Sequence, residues 1–188
     1  PQLDITEIRQ RKMVCPSTTG GINWNSIAYS PQTNALYAPT NNVCMDYYLN
    51  PVNPTVGGYH SSAVSRKISV PEGDEQIGIF SAVDVSSGET LWSYKQRAAI
   101  TGSVLTTGGG LAFVTDDARR LRAFDVDNGR ILWEQILNSS AGGFPTTYSV
   151  DGTQYIAIAA GGGVSHRALT PEIQQRRGGN TLFVFRLP

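Results

Sequence analysis

An excess of charge of either sign is missing from this sequence. Lys and Arg together number 15 and Asp and Glu together number 15, so the formal net charge at pH 7 is zero. Proteins that capture nucleic acid or an anionic membrane by long-range attraction carry a clear basic excess, and we therefore expect no nucleic-acid partner. The one dense basic run, at residues 119–122, is interpreted as a solvated turn and strand edge.

Long hydrophobic runs and metal-ligating side chains are also scarce. No stretch approaches the roughly 18 consecutive apolar residues that a membrane helix needs, and residues 1–4 lack the Met and the basic segment of a signal peptide. The histidines, His60 and His166, lie far apart in polar loops, and the cysteines, Cys15 and Cys44, form no Cys-x-x-Cys motif. We expect no metal site in this chain, and the cysteines are compatible with one disulfide or with two buried thiols.

The sequence does contain a stretch that occurs twice. Residues 84–92, DVSSGETLW, are followed 41 residues later by residues 125–133, DVDNGRILW, and an Ala precedes each Asp by two positions. A period near 40 residues indicates a propeller, a solenoid or an array. Asp can accept hydrogen bonds from backbone amides two residues on, and Gly supplies a positive φ. Trp can pack between neighbouring sheets, so this chemistry favours a propeller.

A hairpin pattern precedes the repeat and recurs after it, at residues 26–38, 103–115 and 145–159. One unit is therefore a hairpin, a third strand with Ala-x-Asp and a fourth strand with Trp, which is the size of a propeller blade. The sequence predicts an all-β fold of roughly three four-stranded blades. Three blades cannot close a ring, and their outer faces would expose apolar surface. We therefore expect residues 1–188 to be a partial β-propeller whose partner is the remainder of its own propeller.

Two insertions interrupt the repeat, at about 39–76 and 161–179. Residues 1–25 have few strand signals and are interpreted as a connector, with at most a short strand at its start. Residues 180–185 then restore the strand that should carry Ala-x-Asp. Loops that project from a scaffold commonly carry binding residues, which is the role we expect for these insertions. The alternative is that they are only long surface connections.

Several of these stretches resemble the pyrroloquinoline-quinone (PQQ)-dependent alcohol dehydrogenases. They are residues 15–17 (CPS), 20–24 (GGINW), 41–46 (NNVCMD), 159–163 (AAGGG) and 180–188 (NTLFVFRLP). The resemblance covers nearly the whole chain and corresponds to roughly the last third of a family member. It implies an eight-bladed β-propeller with tryptophan-docking motifs, in a periplasmic quinoprotein with calcium or a lanthanide beside the quinone. The tryptophan repeat alone is weak support, since non-catalytic propellers share it.

The resemblance also implies site residues. Cys15 and Cys44 match a pair that forms a disulfide in many members, which indicates an oxidising compartment. Asn41 falls where the family has an Asn whose amide donates to the reacting oxygens of the quinone, although it could simply form a turn. Thr101 stands where many members have a Trp that contacts the cofactor; its hydroxyl could bind a quinone carboxylate, or the residue could lie in an ordinary turn. Gly162, in the late loop, completes the predicted cofactor-binding set.

The residues that carry the chemistry in the family are expected upstream of this sequence. They are a catalytic Asp and the metal ligands, so we assign no catalytic base and no metal ligand here. Asp84 and Asp125 belong to repeat turns, and residues 116–117 are interpreted as a strand-end turn. Residues 164–166 replace a Trp that narrows the entrance in methanol-oxidising members, which favours a larger substrate than methanol.

These features predict part of a quinoprotein dehydrogenase. It would oxidise an alcohol, a sugar or another polyol by hydride transfer to PQQ and pass electrons to a cytochrome or a quinone. The alternative is a non-catalytic propeller that acts as a protein-interaction scaffold. A Ser/His hydrolase built on residues 165–166 has little support, because adjacent residues in a Gly-rich loop do not give a nucleophile–base geometry.

Overall fold

The computed structural model describes residues 7–8, 10–17, 20–49, 51, 53, 55–58, 64–162, 166–174 and 179–187, with the backbone alone for residues 64–66. These residues form fourteen strands and no helix: β1 (Lys12–Val14), β2 (Ala28–Ser30), β3 (Ala35–Asn41), β4 (Cys44–Leu49), β5 (Val64–Ser69), β6 (Gly78–Asp84), β7 (Thr90–Gln96), β8 (Leu105–Thr106), β9 (Leu111–Thr115), β10 (Arg120–Asp125), β11 (Ile131–Ile136), β12 (Thr146–Val150), β13 (Thr153–Ala160) and β14 (Thr181–Arg186). A helix long and apolar enough to cross a membrane is thus not found in this part of the chain.

Three antiparallel sheets follow one another along the chain. The first has the order β2-β3-β6-β7, the second β11-β10-β9-β8 and the third β12-β13-β14. The hairpins and the strands of the repeat lie where the sequence predicts them, and the all-β fold is confirmed. The number of blades in the closed ring stays a prediction.

A fourth sheet, β1-β4-β5, differs from expectation. The insertion at 39–76, expected as a loop, contains the hairpin of β4 and β5. The connector at 1–25 contributes β1, which lies at Lys12–Val14 rather than at the start of the segment. A disulfide joins Cys15, after β1, to Cys44, the first residue of β4, with 4.4 Å between the Cα atoms. The disulfide holds the β1-β4-β5 sheet, which we call the side sheet, next to the end of β3.

The two Asp-x-x-x-Gly turns show the chemistry expected of them. Asp84 Oδ1 accepts hydrogen bonds from the backbone N–H groups of Ser86 and Ser87, at 2.9 and 2.8 Å. The bonds from the Ser87 backbone and hydroxyl lower the pKa of Asp84. In the second turn, Asp125 Oδ1 accepts from Asp127 N at 2.9 Å. Each Asp therefore stabilises its own turn, which agrees with the assignment of Asp84 and Asp125 to repeat turns.

The core lies between the sheets. One apolar cluster fills the junction of the first and second sheets and includes Tyr37, Phe80 and Phe124, all fully buried. A second cluster fills the junction of the second and third sheets, around Phe113 and Leu121. A third, smaller cluster packs at the end of the first sheet and consists of Val43, Ile77 and Ala99 with partly buried neighbours.

Candidate functional site at one end of the sheets

The insertions and all the predicted cofactor residues emerge at the same end of the sheets. Because the strands are antiparallel, the connections from the second to the third strand of a sheet, and from one sheet to the next, share an end. We call it the insertion end. Asn41, Thr101 and Gly162 all lie in or beside these connections, whereas the Asp-x-x-x-Gly turns lie at the opposite end.

Asn41 is the last residue of β3, and its side chain bridges to the next connection along the chain. Its Nδ2 donates to the carbonyl oxygen of Ile100 at 3.0 Å, and its Oδ1 accepts from Ile100 N at 2.9 Å. A Cβ on Gly78, the partner of Asn41 in β6, would lie 2.2 Å from the carbonyl oxygen of Ala98. The glycine thus allows this close approach, and one N–H of the Asn41 amide is left for a further acceptor.

Thr101 follows Ile100 directly, so the structure brings two of the predicted residues together. The Thr101 hydroxyl donates to Asp117 Oδ1 at 2.8 Å, and Asp117 N donates to Ala99 O at 2.9 Å. Asp117 is fully buried. The Thr101 hydroxyl has one proton, which it already donates to Asp117. It can donate to a quinone carboxylate only if the hydrogen bond to Asp117 breaks.

Gly162 lies elsewhere at the insertion end. It forms a bridge with Ser140 between the second and third sheets. Its N–H donates to Ser140 O at 3.0 Å, and the Ser140 hydroxyl donates to Gly162 O at 2.8 Å. Among the described residues, no hydrogen bond joins Gly162 to Asn41 or Thr101. Position 163, the next in this Gly-rich run, lies outside the described residues, as does His60.

The sequence did not point to a chain of bonds that links the segments before the first strand of each sheet. Asn25 Nδ2 donates to Gly102 O at 3.2 Å, Ser26 N donates to the Ser103 hydroxyl at 3.0 Å, and Ser103 N donates to Gly143 O at 3.2 Å. Polar residues before β2 and β8, Asn25, Ser26 and Ser103, were the available signal. These bonds hold the three entry segments in register.

Two exposed aromatic side chains accompany these entry segments. Trp24, in the GGINW stretch, is 83% exposed, and Phe144, just before β12, is 64% exposed. Each precedes the first strand of its sheet. The insertion end therefore offers apolar surface beside its polar groups.

Residues 116–117 form a strand-end turn, as expected, but both are buried, which the sequence did not indicate. The interpretation of the basic run as solvated is wrong for Arg122, which is 5% exposed. Arg122 Nη1 donates to Asp116 Oδ2 at 2.7 Å and to Gln96 Oε1 at 2.8 Å. Burial alone would lower the pKa of the Arg122 guanidinium, but Asp116 raises it above its usual value. Arg122 Nε also donates to Glu134 Oε2 at 2.6 Å. The charge is buried because two carboxylates and an amide surround it.

His166 also differs from its expected place in a polar loop. It is 6% exposed, and burial lowers the pKa of its imidazole. The described residues contain no group of three or more His, Cys, Asp or Glu side chains that could hold a metal ion.

Comparison with known proteins gives a consistent family of matches. Residues 85–156 match the model of the glucose/ethanol/alcohol dehydrogenase β-propeller domain, PQQ. The chain is 34% identical over 182 residues to 1-butanol dehydrogenase (quinone) of Thauera butanivorans, which covers 93% of the chain and 28% of that protein. It is 34% identical over 154 residues to the lanthanide-dependent methanol dehydrogenase of Methylacidiphilum fumariolicum, covering 81% of the chain and 25% of that protein.

Solved structures show the same likeness. A europium-containing methanol dehydrogenase superposes with a TM-score of 0.79 at 29% identity, over 88% of this chain and 30% of that one. The quinohemoprotein alcohol dehydrogenase of Comamonas testosteroni gives a TM-score of 0.76 at 24% identity, over 95% of this chain and 28% of that one, and supports the fold alone. The chain thus spans between a quarter and a third of the length of these proteins.

Proposed function

We propose that this chain is part of an enzyme that oxidises an alcohol or a sugar. The premise is that the chain belongs to the PQQ-dependent alcohol dehydrogenase β-propeller family. The observation that carries the proposal is the likeness over 93% of the chain to a quinone-linked alcohol dehydrogenase. Because the chain spans 28% of that relative, the catalytic Asp and the metal ligands are proposed to lie outside it.

The described residues fit one wall of a quinone site. Bound PQQ would supply the two-electron acceptor for the hydride. Asn41 can offer its remaining N–H to a quinone oxygen, and an amide donor suits an oxygen that gains charge on reduction. The Ser139 hydroxyl, 2% exposed, has no hydrogen-bond partner among the described residues and is a further polar group at the insertion end. We propose that Thr101 and Gly162 shape the same wall.

The rest of the reaction follows the family and is proposed on the same basis. The metal is calcium or a lanthanide, and one relative is named for lanthanide dependence. Electrons leave to a cytochrome or a quinone. The Cys15–Cys44 disulfide favours an oxidising compartment and therefore the periplasm. The substrate is proposed to be larger than methanol, and one relative is named for 1-butanol.

The test is quinone binding to the full-length protein with Asn41→Ala. Loss of one donor to a charged oxygen should weaken binding by about tenfold or more. The matched control is Asn42→Ala: the Asn42 amide donates to Asp74 Oδ2 at 2.7 Å instead of to Ile100, and quinone affinity should not change. Unfolding midpoints of both variants show how much stability the lost bridge to Ile100 contributed.

Two results would count against the proposal. Unchanged quinone affinity and turnover in Asn41→Ala would leave Asn41 as a brace for Ile100 only. Failure of the unmodified protein to show quinone absorbance with calcium or a lanthanide supplied would favour the alternative, a scaffold propeller without catalysis.

A further inference from the structure

The segment at residues 166–174 connects parts of the molecule that are far apart in sequence. It belongs to the insertion between β13 and β14 of the third sheet, and we call it the crossing segment. That insertion starts at Gly161, whose N–H donates to Ser140 O at 3.1 Å between the second and third sheets. The crossing segment nevertheless packs against the end of the first sheet, where Leu169 contacts the cluster of Val43, Ile77 and Ala99. A single insertion therefore touches all three sheets.

Arg97, just after β7 of the first sheet, holds the crossing segment at this place. Its Nε lies 2.8 Å from Glu172 Oε1, and its Nη2 donates to the carbonyl oxygen of Leu169. Its Nη1 donates to Glu75 O at 3.1 Å, and Glu75 belongs to the other insertion. One guanidinium thus joins both insertions to the first sheet, a task that suits its planar set of five donors.

The contacts continue from the crossing segment to the predicted cofactor residues. Within the cluster under Leu169, Ile77 O accepts from Asn42 N at 2.8 Å, next to Asn41. In the same cluster, Ala99 O accepts from Asp117 N at 2.9 Å, and Asp117 accepts from Thr101. The cluster is therefore bonded to the neighbour of Asn41 in the chain and to the hydrogen-bond partner of Thr101.

We propose that Arg97 is a positioning residue: it keeps the crossing segment pressed on the Val43–Ile77–Ala99 cluster, and so fixes Asn41 and Thr101 for the cofactor. The proposal rests on the proposed function, because it concerns the same site. The ion pair with Glu172 is exposed, with side-chain exposures of 39% and 52%, and contributes little by itself. The holding effect comes from the three acceptors together.

The test compares Arg97→Met, Arg97→Lys and Glu172→Gln in the full-length protein. Trypsin cleavage after Arg167, an exposed residue of the crossing segment, reports whether the segment is held. Quinone affinity and the global unfolding midpoint are measured in parallel. Arg97→Met should speed cleavage by about tenfold and weaken quinone binding by about fivefold, a coupling of ordinary size, while the global midpoint changes little.

The conservative variants sharpen the test. Arg97→Lys keeps the charge but cannot reach three acceptors at once, so it should fall between Arg97→Met and the unmodified protein. Glu172→Gln leaves both carbonyl contacts and should have the smallest effect. Arg130→Met is the matched control, because Arg130 is exposed at the opposite end of the sheets, and it should change neither cleavage nor affinity.

The outcomes separate this proposal from the one on which it rests. Unchanged cleavage in Arg97→Met overturns the holding role, and faster cleavage with unchanged quinone affinity overturns the positioning role. Failure of the unmodified protein to bind quinone overturns the proposed function, and with it the positioning role, while the cleavage rates still decide whether Arg97 holds the segment.

Discussion

Trp92 and Trp133 occupy the same position of the repeat, yet the two junctions between sheets are built differently around them. Trp92 docks on the second sheet: its indole N–H donates to Val126 O at 2.8 Å, and its ring stacks with Phe124 at 6.4 Å between centroids. Trp133 is 38% exposed and has an edge contact with Phe185 at 5.1 Å. It lines an apolar cavity of about 560 Å³ between the second and third sheets.

The difference lies in what the neighbouring sheet provides. Trp92 rests on the Asp-x-x-x-Gly turn after β10, where a Cβ on Gly129 would lie 2.5 Å from the Trp92 ring. Trp133 instead meets the ring of Phe185 in β14 edge-on. Docking of Trp92 therefore depends on the turn of the next sheet as much as on the tryptophan itself.

The two junctions also differ in the polarity of their buried residues. In the first junction, Gln96, Asp116 and Arg122 form a buried hydrogen-bonded trio. Strand register gives the matching positions of the second junction, and all three carry apolar side chains packed in one cluster: Leu137, Ala160 and Phe183. The repeat thus specifies where the strands lie, but it does not specify whether the buried residues of a junction are polar or apolar.

The largest effect is expected from breaking the polar trio. Arg122→Leu leaves Asp116 buried without its cation and should lower the free energy of unfolding by about 3–5 kcal/mol. Replacing the whole trio with the residues of the other junction, as Gln96→Leu/Asp116→Ala/Arg122→Phe, should recover most of that loss. No buried charge is then left unpaired, and the half-exposed Glu134 keeps its ion pair with Arg120. Urea unfolding of both variants measures the difference. A triple variant as unstable as Arg122→Leu would mean that the two junctions are not interchangeable.

A somewhat smaller effect is expected from the tryptophans. Trp92→Ala removes a ring packed on Phe80, Phe124 and Gly129 and should cost about 3–4 kcal/mol. Trp133→Ala should cost only about 1 kcal/mol in the 188-residue chain, since Trp133 is already 38% exposed. Thermal unfolding monitored by circular dichroism compares them. Equal losses would show that Trp133 is docked as firmly as Trp92.

The sequence predicted the parts of the fold that depend on local chemistry. The Asp-Gly-Trp period placed β6, β7, β10 and β11, because turn residues and alternating strands leave a short-range pattern. The side sheet was missed, since β5 is mostly polar and β4 pairs with β1, which lies about thirty residues earlier in the chain.

For the candidate site, the resemblance assigned Asn41 and Thr101 to one cofactor site but did not indicate the contacts that hold them in place. The bond from Asn41 to Ile100 spans 59 residues, and that from Arg97 to Leu169 spans 72. Contacts between such distant residues produce no periodicity in a single sequence. The burial of Arg122 was missed for a related reason, since the run of arginines around it is typical of a solvated turn and its partners Gln96 and Asp116 lie on other segments.

The smallest effect, and the most direct comparison of two turns, is expected from glycine substitutions. Gly88 and Gly129 have nearly the same positive φ, +74° and +71°, but nothing lies within 4 Å of a Cβ on Gly88. Gly88→Ala should therefore cost about 1 kcal/mol, for the left-handed backbone alone. Gly129→Ala carries the same cost and also pushes the Trp92 ring from its seat, for a total of about 2–3 kcal/mol. Urea unfolding measures both, and tryptophan fluorescence should change in Gly129→Ala only. If the two variants lost equal stability, Trp92 would not depend on Gly129, and the contrast between the two junctions would have to come from the buried trio.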